Sequence, residues 1–246
     1  RIISPDAQSS GCSTRNPSSQ KNFLQSSAPR RLQFDLKMPE TVFLQHRPIC
    51  LASSSPRRRD YLNRLGLQFE VEVPAIDETQ RKGEDSESFV QRMALEKALK
   101  VQSQTAKLEQ DTLILAGDTI VLLEGAILGK PSSEGEARHM LRILSGRNHT
   151  VHTAFTLLDT RDEGTVNGYA VTGVQFFSLG EELINWYAAL GEGMDKAGGY
   201  SIQGLGTLLV SSIQGSYNNV VGFPIEQILK KMLERQWIRV EMPRKQ

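Results

Sequence analysis

Three short stretches hold residues whose type and spacing could do chemistry. The first is "LASSSPRRRD", residues 51–60, where three serines, a proline and three arginines fall between an apolar run and a helical pattern. A helix N-terminus presents unpaired N–H groups and a partial positive charge, which together attract anions. Ser53, Ser54 and Ser55 add hydroxyls, and Arg57 and Arg58 fall in the first turn. Cations there oppose the helix dipole, and an incoming phosphate would remove that penalty. A basic surface turn or a Ser-Pro modification site reads the same residues equally well.

The second stretch is "TLILAGDTIVLLEGAILGKP", residues 112–131. Asp118 interrupts an apolar run, where an unpaired buried carboxylate would be strongly unfavourable. It must therefore lie in a turn, meet a cation or bind a metal. Glu124-Gly125 suits a two-residue hairpin turn. Pairing Leu123 with Ala126 sets Thr119 opposite Lys130, which brings Lys130 within about one residue of Asp118. The competing reading is a solvated Gly-Asp turn with a lysine at its rim. Lys97 falls on the apolar stripe formed by Phe89, Val90, Met93 and Ala94, so it either snorkels or reaches into a cleft. Glu78 lies in the polar loop "AIDET".

The third is "DKAGGYSIQGLG", residues 195–206. Its glycines permit close backbone approach to a ligand, and Gln203 carries both a donor and an acceptor suited to a base edge. A flexible connection is the plainer alternative. Other motifs fail. Gly125 to Pro131 is one residue short of a P-loop and ends in proline where a hydroxyl must hold the metal. There is neither a G-x-G-x-x-G after a strand nor a G-x-S-x-G elbow. His149 and His152 sit three apart in a strand-like run, so they face opposite ways and make a poor metal pair.

These residues need elements to hold them. The run 42–52 reads as a strand that begins in earnest after Pro48. Ser55 as N-cap, Pro56 at the first helical position and Gly66 after Leu65 frame a short helix. Residues 86–100 and 134–144 read as helices, the latter opened by a Ser133-x-x-Glu136 capping box. A second box, Ser178-x-x-Glu181, predicts a helix stopping at Gly191, and a last helix runs from Pro224 with Ile225, Ile228, Leu229, Met232 and Leu233 on one face. Strand-like runs fall at 67–74, 112–116, 119–123, 126–129, 150–158, 165–177 and 207–213. Without regular βαβ repetition, the expectation is a mixed α/β sheet with antiparallel hairpins and flanking helices.

Composition sets the outer bounds. The 246 residues are 39% apolar and carry a formal charge of +1. Residues 1–43 hold six Lys/Arg against three Asp/Glu, which leaves 44–246 slightly acidic. Such a body lacks the broad basic footprint of a nucleic-acid binder. Two cysteines, Cys12 and Cys50, give no disulfide framework, which favours a reducing, cytoplasmic setting. No apolar run approaches the roughly 20 residues of a membrane span, so a soluble protein is expected. Residues 1–42 are expected to be disordered: serine-rich and poor in large apolar residues, they read either as a loose organellar transit segment or as an extension upstream of Met38. The functional domain is placed at 43–240, with two lobes, and 241–246 is a tail.

Taken together, LASSSPRR, IDET, LEKA, GDTIV, LGKP, ARHMLRILSGRNHTVHT, DKAGGYSIQG and NNVVGFP resemble the Maf family of nucleoside triphosphate pyrophosphatases, in that family's order, over about residues 48–233. The resemblance implies an elongated, two-lobed, ITPase-like mixed α/β fold with a central cleft, often dimeric. It also implies hydrolysis of a nucleoside triphosphate to the monophosphate and pyrophosphate with a divalent cation, Mg²⁺ or Mn²⁺. Asp118 would be the catalytic residue, orienting or deprotonating a water that attacks the α-phosphorus, directly or through the metal. Glu78 would join Asp118 at the metal, with Ser53, Arg58, Lys97 and Lys130 around the phosphates.

Arg57, Thr119 and Gln203 occupy the positions that separate the family's branches and look like the dTTP/UTP branch, with CTP or modified pyrimidine nucleotides also open as substrates. The branch acting on 7-methyl-GTP has tryptophan, glutamine and glutamate there. Two details depart from the pattern: Ala116-Gly117 reverses the usual order before Asp118, and Ser201 replaces a common glycine. The first would alter the strand end carrying Asp118, and the second would narrow the loop near the base. A nucleotide-binding regulator of cell division with little turnover is the rival reading. A nucleic-acid module built on Arg57–Arg59 is a weaker one, since no aromatics interleave the cations.

Overall fold

The computed structural model describes residues 43–104, 111–162 and 164–241. The extension read over 1–42 and the tail beyond Glu241 lie outside the described residues. In chain order the strands and helices are β1 (Phe43–Gln45), β2 (Ile49–Ala52), α1 (Pro56–Arg64), β3 (Glu70–Glu72), α2 (Ser86–Gln104), β4 (Leu113–Leu123), β5 (Ala126–Leu128) and α3 (Glu134–Leu144). They continue as β6 (Asn148–Asp159), β7 (Thr165–Phe176), α4 (Glu181–Ala189), β8 (Val210–Gln214), α5 (Tyr217–Val221), α6 (Ile225–Glu234) and β9 (Ile238–Val240). Two 3-10 turns, Ala197–Gly199 and Gly204–Leu208, lie between α4 and β8.

Seven strands form one mixed sheet in the order β3-β2-β4-β6-β7-β8, with β5 also on β4. β3, β2 and β4 run parallel, and β4, β6, β7 and β8 form an antiparallel meander. β1 and β9 pair separately. The mixed sheet with flanking helices is the architecture expected from the intermingled strand and helix patterns.

β4 positions the site. The sequence suggested two strands broken at Gly117-Asp118, but β4 runs unbroken for 11 residues. Pairing with β6 from Leu113 to Leu122 carries the ladder straight through the polar pair. With β6 filling one edge, β2 and β5 share the other. β2 pairs with Leu113–Ala116 and β5 with Val121–Leu123. Residues 117–120 are thus left without a strand on that edge, and this gap is where the polar residues lie.

Alternation along β4 divides the core. Leu113 and Leu115 face one way and join Leu51, Leu62, Phe223, Ile228 and Met232 from β2, α1 and α6. Further along the same face, Val121 and Leu123 join Leu141, Leu144, Phe176 and Tyr187. The opposite face meets α2 in two groups, Ile114 and Ala116 with Ala98 and Val101, and Ile120 and Leu122 with Phe89, Val90, Met93 and Ala94. Each fully buried aliphatic side chain contributes about 2 kcal/mol. Asp118 therefore faces α2 and Thr119 faces α1.

Local signals act as expected in several places. Gly66 adopts φ +70° after α1, and its N–H bonds to the Asn63 carbonyl at 3.0 Å. Leu123 pairs with Ala126, as the Glu124-Gly125 turn requires. Ser133 caps α3 by accepting from Glu136 N at 3.2 Å, although the Glu136 carboxylate bonds Ser132 rather than closing the box.

The second capping box does not form. Gly180 is the N-cap of α4, and Glu181 pairs with Arg142 of α3 instead. The expected strand at 207–213 shifts to 210–214, because 204–208 coils into a 3-10 turn. Only 70–72 of the 67–74 run pairs as a strand.

Candidate active site

Lys97 projects from the apolar stripe of α2, nine-tenths buried, and its ammonium reaches the gap in β4. Nζ donates to Asp118 Oδ1 at 2.7 Å and stands 2.7 Å from Glu78 Oε1. Of the two readings of this lysine, the structure therefore shows the one that reaches into the cleft. Asp118 is accordingly paired with a cation and does not sit in a turn.

The loop carrying Glu78 is held from below. Asp77 accepts from the Thr79 N–H and hydroxyl, and Arg92 of α2 donates to the Thr79 carbonyl at 3.1 Å while pairing with Glu84. Burial pushes the Glu78 carboxyl up. The bond from Lys97 and the charges of Lys97, Lys130 and Arg58 outweigh it, leaving Glu78 below the ordinary carboxylate range. Arg92 lies four residues C-terminal to Ser88 in a plain helical pattern, and nothing in the sequence ties it to the loop.

On the other face, Arg58 is buried and nearly exhausted as a donor. It bonds the Gly222 carbonyl from Nε at 2.9 Å and the Gly117 carbonyl from Nη1 at 2.6 Å. It also bonds Ser53 Oγ at 3.2 Å and Thr119 Oγ1 at 3.1 Å. Four of its five N–H groups are committed to protein, and one on Nη2 is left. Burial lowers its pKa to about 10. A Cβ at Gly117 would touch Arg58 Nε at an ordinary 3.5 Å but press on the Ala154 carbonyl at 3.1 Å. The Ala116-Gly117 order leaves the strand intact.

The puzzle of arginines in a helix's first turn also resolves here. Arg57 Nε donates to the Val221 carbonyl at 3.3 Å and Arg58 Nε to that of Gly222, the carbonyls that end α5. Cations are favoured at a helix C-terminus. α5 itself was not anticipated, because five residues show no periodicity. Its N-cap Ser216, which accepts from Asn219 N at 3.2 Å, is the signal that could have found it. Ser55 holds the N-cap position of α1 without a side-chain bond, and Ser53 Oγ instead accepts from Ser55 N at 3.2 Å.

Across the opening, Arg57 Nη1 meets Asp195 Oδ2 at 3.2 Å, and Asp195 also pairs with Lys196. Thr119 Oγ1 lies 3.0 Å from Thr153 Oγ1, which donates to the Asn219 carbonyl at 3.2 Å. Lys130 has no hydrogen bond or ion pair among the described residues. β5 ends at Leu128, so the expected Thr119–Lys130 pairing does not form, yet Lys130 still lines the cleft.

One cleft collects all of the sequence candidates: Ser53, Arg57, Arg58, Glu78, Lys97, Asp118, Thr119, Lys130 and Gln203. Asp195 and Lys196 complete a charged lining of five cations and three acids, an excess that suits a polyanion. Although Asp118 and Thr119 point to opposite faces of the sheet, both reach the cleft because the edge between them is open.

A mixed sheet whose edge gap gathers lysines, arginines and a carboxylate pair is the framework of a phosphate-ester-handling protein. The Maf-like protein family matches residues 48–236. The chain is 46% identical over 187 residues to a dTTP/UTP pyrophosphatase of Desulfotalea psychrophila, covering 76% of this chain and 94% of that protein. It is 41% identical over 184 residues to one of Syntrophus aciditrophicus, covering 75% and 88%. One of Bacillus cereus is 43% identical over 186 residues, covering 76% and 94%. The chain belongs to the Maf-like protein family.

Among the described residues no helix is long and apolar enough to cross a membrane.

Proposed function

We propose that this protein hydrolyses dTTP and UTP to the nucleoside monophosphate and pyrophosphate. The carrying observation is the meeting of Lys97 with Asp118 and Glu78 at 2.7 Å, in the cleft that also holds Arg57, Arg58 and Lys130. The names of the relatives support the substrate class.

A triphosphate brings about four negative charges, so positioning and charge neutralisation dominate its chemistry. Lys130 is free to take a phosphate, and Arg58 keeps one N–H for it. Lys97 holds Asp118 by Oδ1, leaving Oδ2 as the acceptor for a water proton. The water oxygen attacks the α-phosphorus and its proton passes to Asp118. The bond from the α-phosphorus to the α,β-bridging oxygen breaks, and the electron pair leaves with pyrophosphate, which the lysines hold. Arg57, Thr119 and Gln203 stand around the base.

The donor set fits a hard divalent cation such as Mg²⁺ or Mn²⁺. Two carboxylates already converge on one cationic nitrogen, and no cysteine or histidine lines the cleft. Glu78 and Asp118 would hold the ion. Among the described residues no group of three or more His, Cys, Asp and Glu could do so alone, so the ion would also need substrate phosphates and water. When bound, the ion neutralises phosphate charge. The reading places the reaction in the cytoplasm, requires neither nucleic acid nor a membrane, and leaves open both a monomer and the homodimer that the family resemblance implies.

Pyrophosphate release from a nucleotide panel with Mg²⁺, Mn²⁺ or EDTA tests the proposal. Asp118→Asn is expected to lower kcat for UTP by about 100-fold or more while UTP still binds. Tight UTP binding without release by the wild type would favour the regulator instead.

A further inference from the structure

Gln203 lines the cleft from the segment between the two 3-10 turns, but what holds that segment lies behind it. The Glu192 carboxylate accepts from Leu205 N and Gly206 N, each at 3.2 Å. It also accepts the Tyr187 hydroxyl at 3.2 Å, and that hydroxyl in turn accepts from Ser201 N at 3.0 Å. Backbone donors on both sides of Gln203 are thus tied to one acid–phenol pair. Leu205 and Gly206 open a 3-10 turn whose N-cap, Gln203, makes no side-chain cap, and Glu192 supplies the missing acceptor from elsewhere in the chain.

The glycines of this stretch are fitted to that pair. Gly206 carrying a Cβ would place it 1.8 Å from the Ser201 carbonyl and 2.8 Å from the Tyr187 hydroxyl. At Gly204, with φ +64°, it would stand 3.2 Å from both Glu192 oxygens. The Glu192 carbonyl also accepts from Lys196 Nζ at 2.5 Å, so a second cleft residue hangs on the same position.

A primary amide has a two-fold ambiguity. Turned by 180°, it matches the donor–acceptor edge of cytosine as well as that of uracil. An amide standing at one fixed place meets different neighbours with its oxygen and its NH₂, so its two orientations differ in energy and one base is favoured. A loose segment averages that difference away. We propose that Glu192, with Tyr187, is a positioning residue that holds Gln203 against the base and sets the preference for uracil-type over cytosine-type nucleotides. This rests on the pyrimidine pyrophosphatase reading above.

The test compares wild type, Glu192→Gln, Tyr187→Phe, Gln203→Ala and the double variant Glu192→Gln/Gln203→Ala. Glu192→Gln is expected to raise KM for UTP about tenfold, with kcat changed less than about threefold, and to narrow the UTP:CTP ratio of kcat/KM about tenfold. Tyr187→Phe should give a smaller shift of the same sign. In the Gln203→Ala background the Glu192 change should have no further effect.

Equal losses on UTP and CTP, or the same loss with and without Gln203, would overturn the proposal. Amide hydrogen exchange at Leu205 and Gly206, slow in the wild type and at least about tenfold faster in Glu192→Gln, is read without turnover. Unchanged exchange would likewise overturn it. If the wild type releases no pyrophosphate from any nucleotide, the pyrophosphatase reading fails. The exchange rates and the UTP:CTP ratio of binding affinities then decide the role of Glu192 separately.

Discussion

Lys97 of α2 and Asp118 of β4 meet through a single 2.7 Å bond, and the same ammonium stands 2.7 Å from Glu78. The lysine occupies the point on which both carboxylates converge. A divalent ion seeking those oxygens must compete with it, and the ammonium's third N–H remains for a phosphate while Asp118 stays held.

Lys97→Met keeps the apolar stem and removes the charge. The nucleotide-free variant is expected to bind Mn²⁺ about tenfold more tightly than the wild type, as measured by titration calorimetry, because one positive charge near the site is gone. UTP hydrolysis should fall over the same comparison. Unchanged Mn²⁺ affinity would show that the ammonium does not compete.

Arg58 is a structural clamp. Lysine cannot reproduce a planar fork that bonds Gly222, Gly117, Ser53 and Thr119 together. Arg58→Lys leaves buried carbonyls unpaired and is expected to cost about 3 kcal/mol of stability in urea denaturation. Its kcat/KM for UTP should also fall by more than about tenfold, since Thr119 and the strand edge lose their support.

His149 is buried against Phe176 and Tyr200, with ring centroids at 5.0 and 5.4 Å, and its Nε2 lies 2.8 Å from the Tyr200 hydroxyl. Burial lowers its pKa from 6.5 to about 4. Below pH 6.5 the unfolded chain takes up a proton that the folded protein refuses until about pH 4. The contribution is therefore intact above 6.5 and falls away by up to about 3 kcal/mol between 6.5 and 4. Urea denaturation across that window should show a shallower decline for His149→Phe than for the wild type. Parallel curves would refute the assignment.

The sequence exposed the parts of this protein governed by local rules. Pro56 and Gly66 bracket α1, Glu124-Gly125 fixes the β4–β5 turn, and the apolar stripe of α2 marks Lys97 as unusual. It concealed the parts governed by distant partners. Ser178-x-x-Glu181 satisfies a capping pattern, but Arg142, 39 residues away, claims the glutamate. Gly117-Asp118 reads as a break only while β6 is out of view. Asp118, Glu78 and the arginines could be nominated one by one. That they share one opening depends on which strands flank β4, and no local window contains that fact.

That opening has a consequence for how such a protein could change its cargo. β2 stops where the chain turns, with Ser53 N bonding back to the Leu51 carbonyl, and β5 stops short of Pro131, which has no N–H to give a ladder. Added rungs on either side would zip the aperture shut without altering any charged group, and fewer would widen it. Strand length, rather than residue identity, thus sets the bore of the entrance. A lineage could retune what it admits by insertion or deletion at the ends of β2 and β5, leaving Asp118 itself untouched.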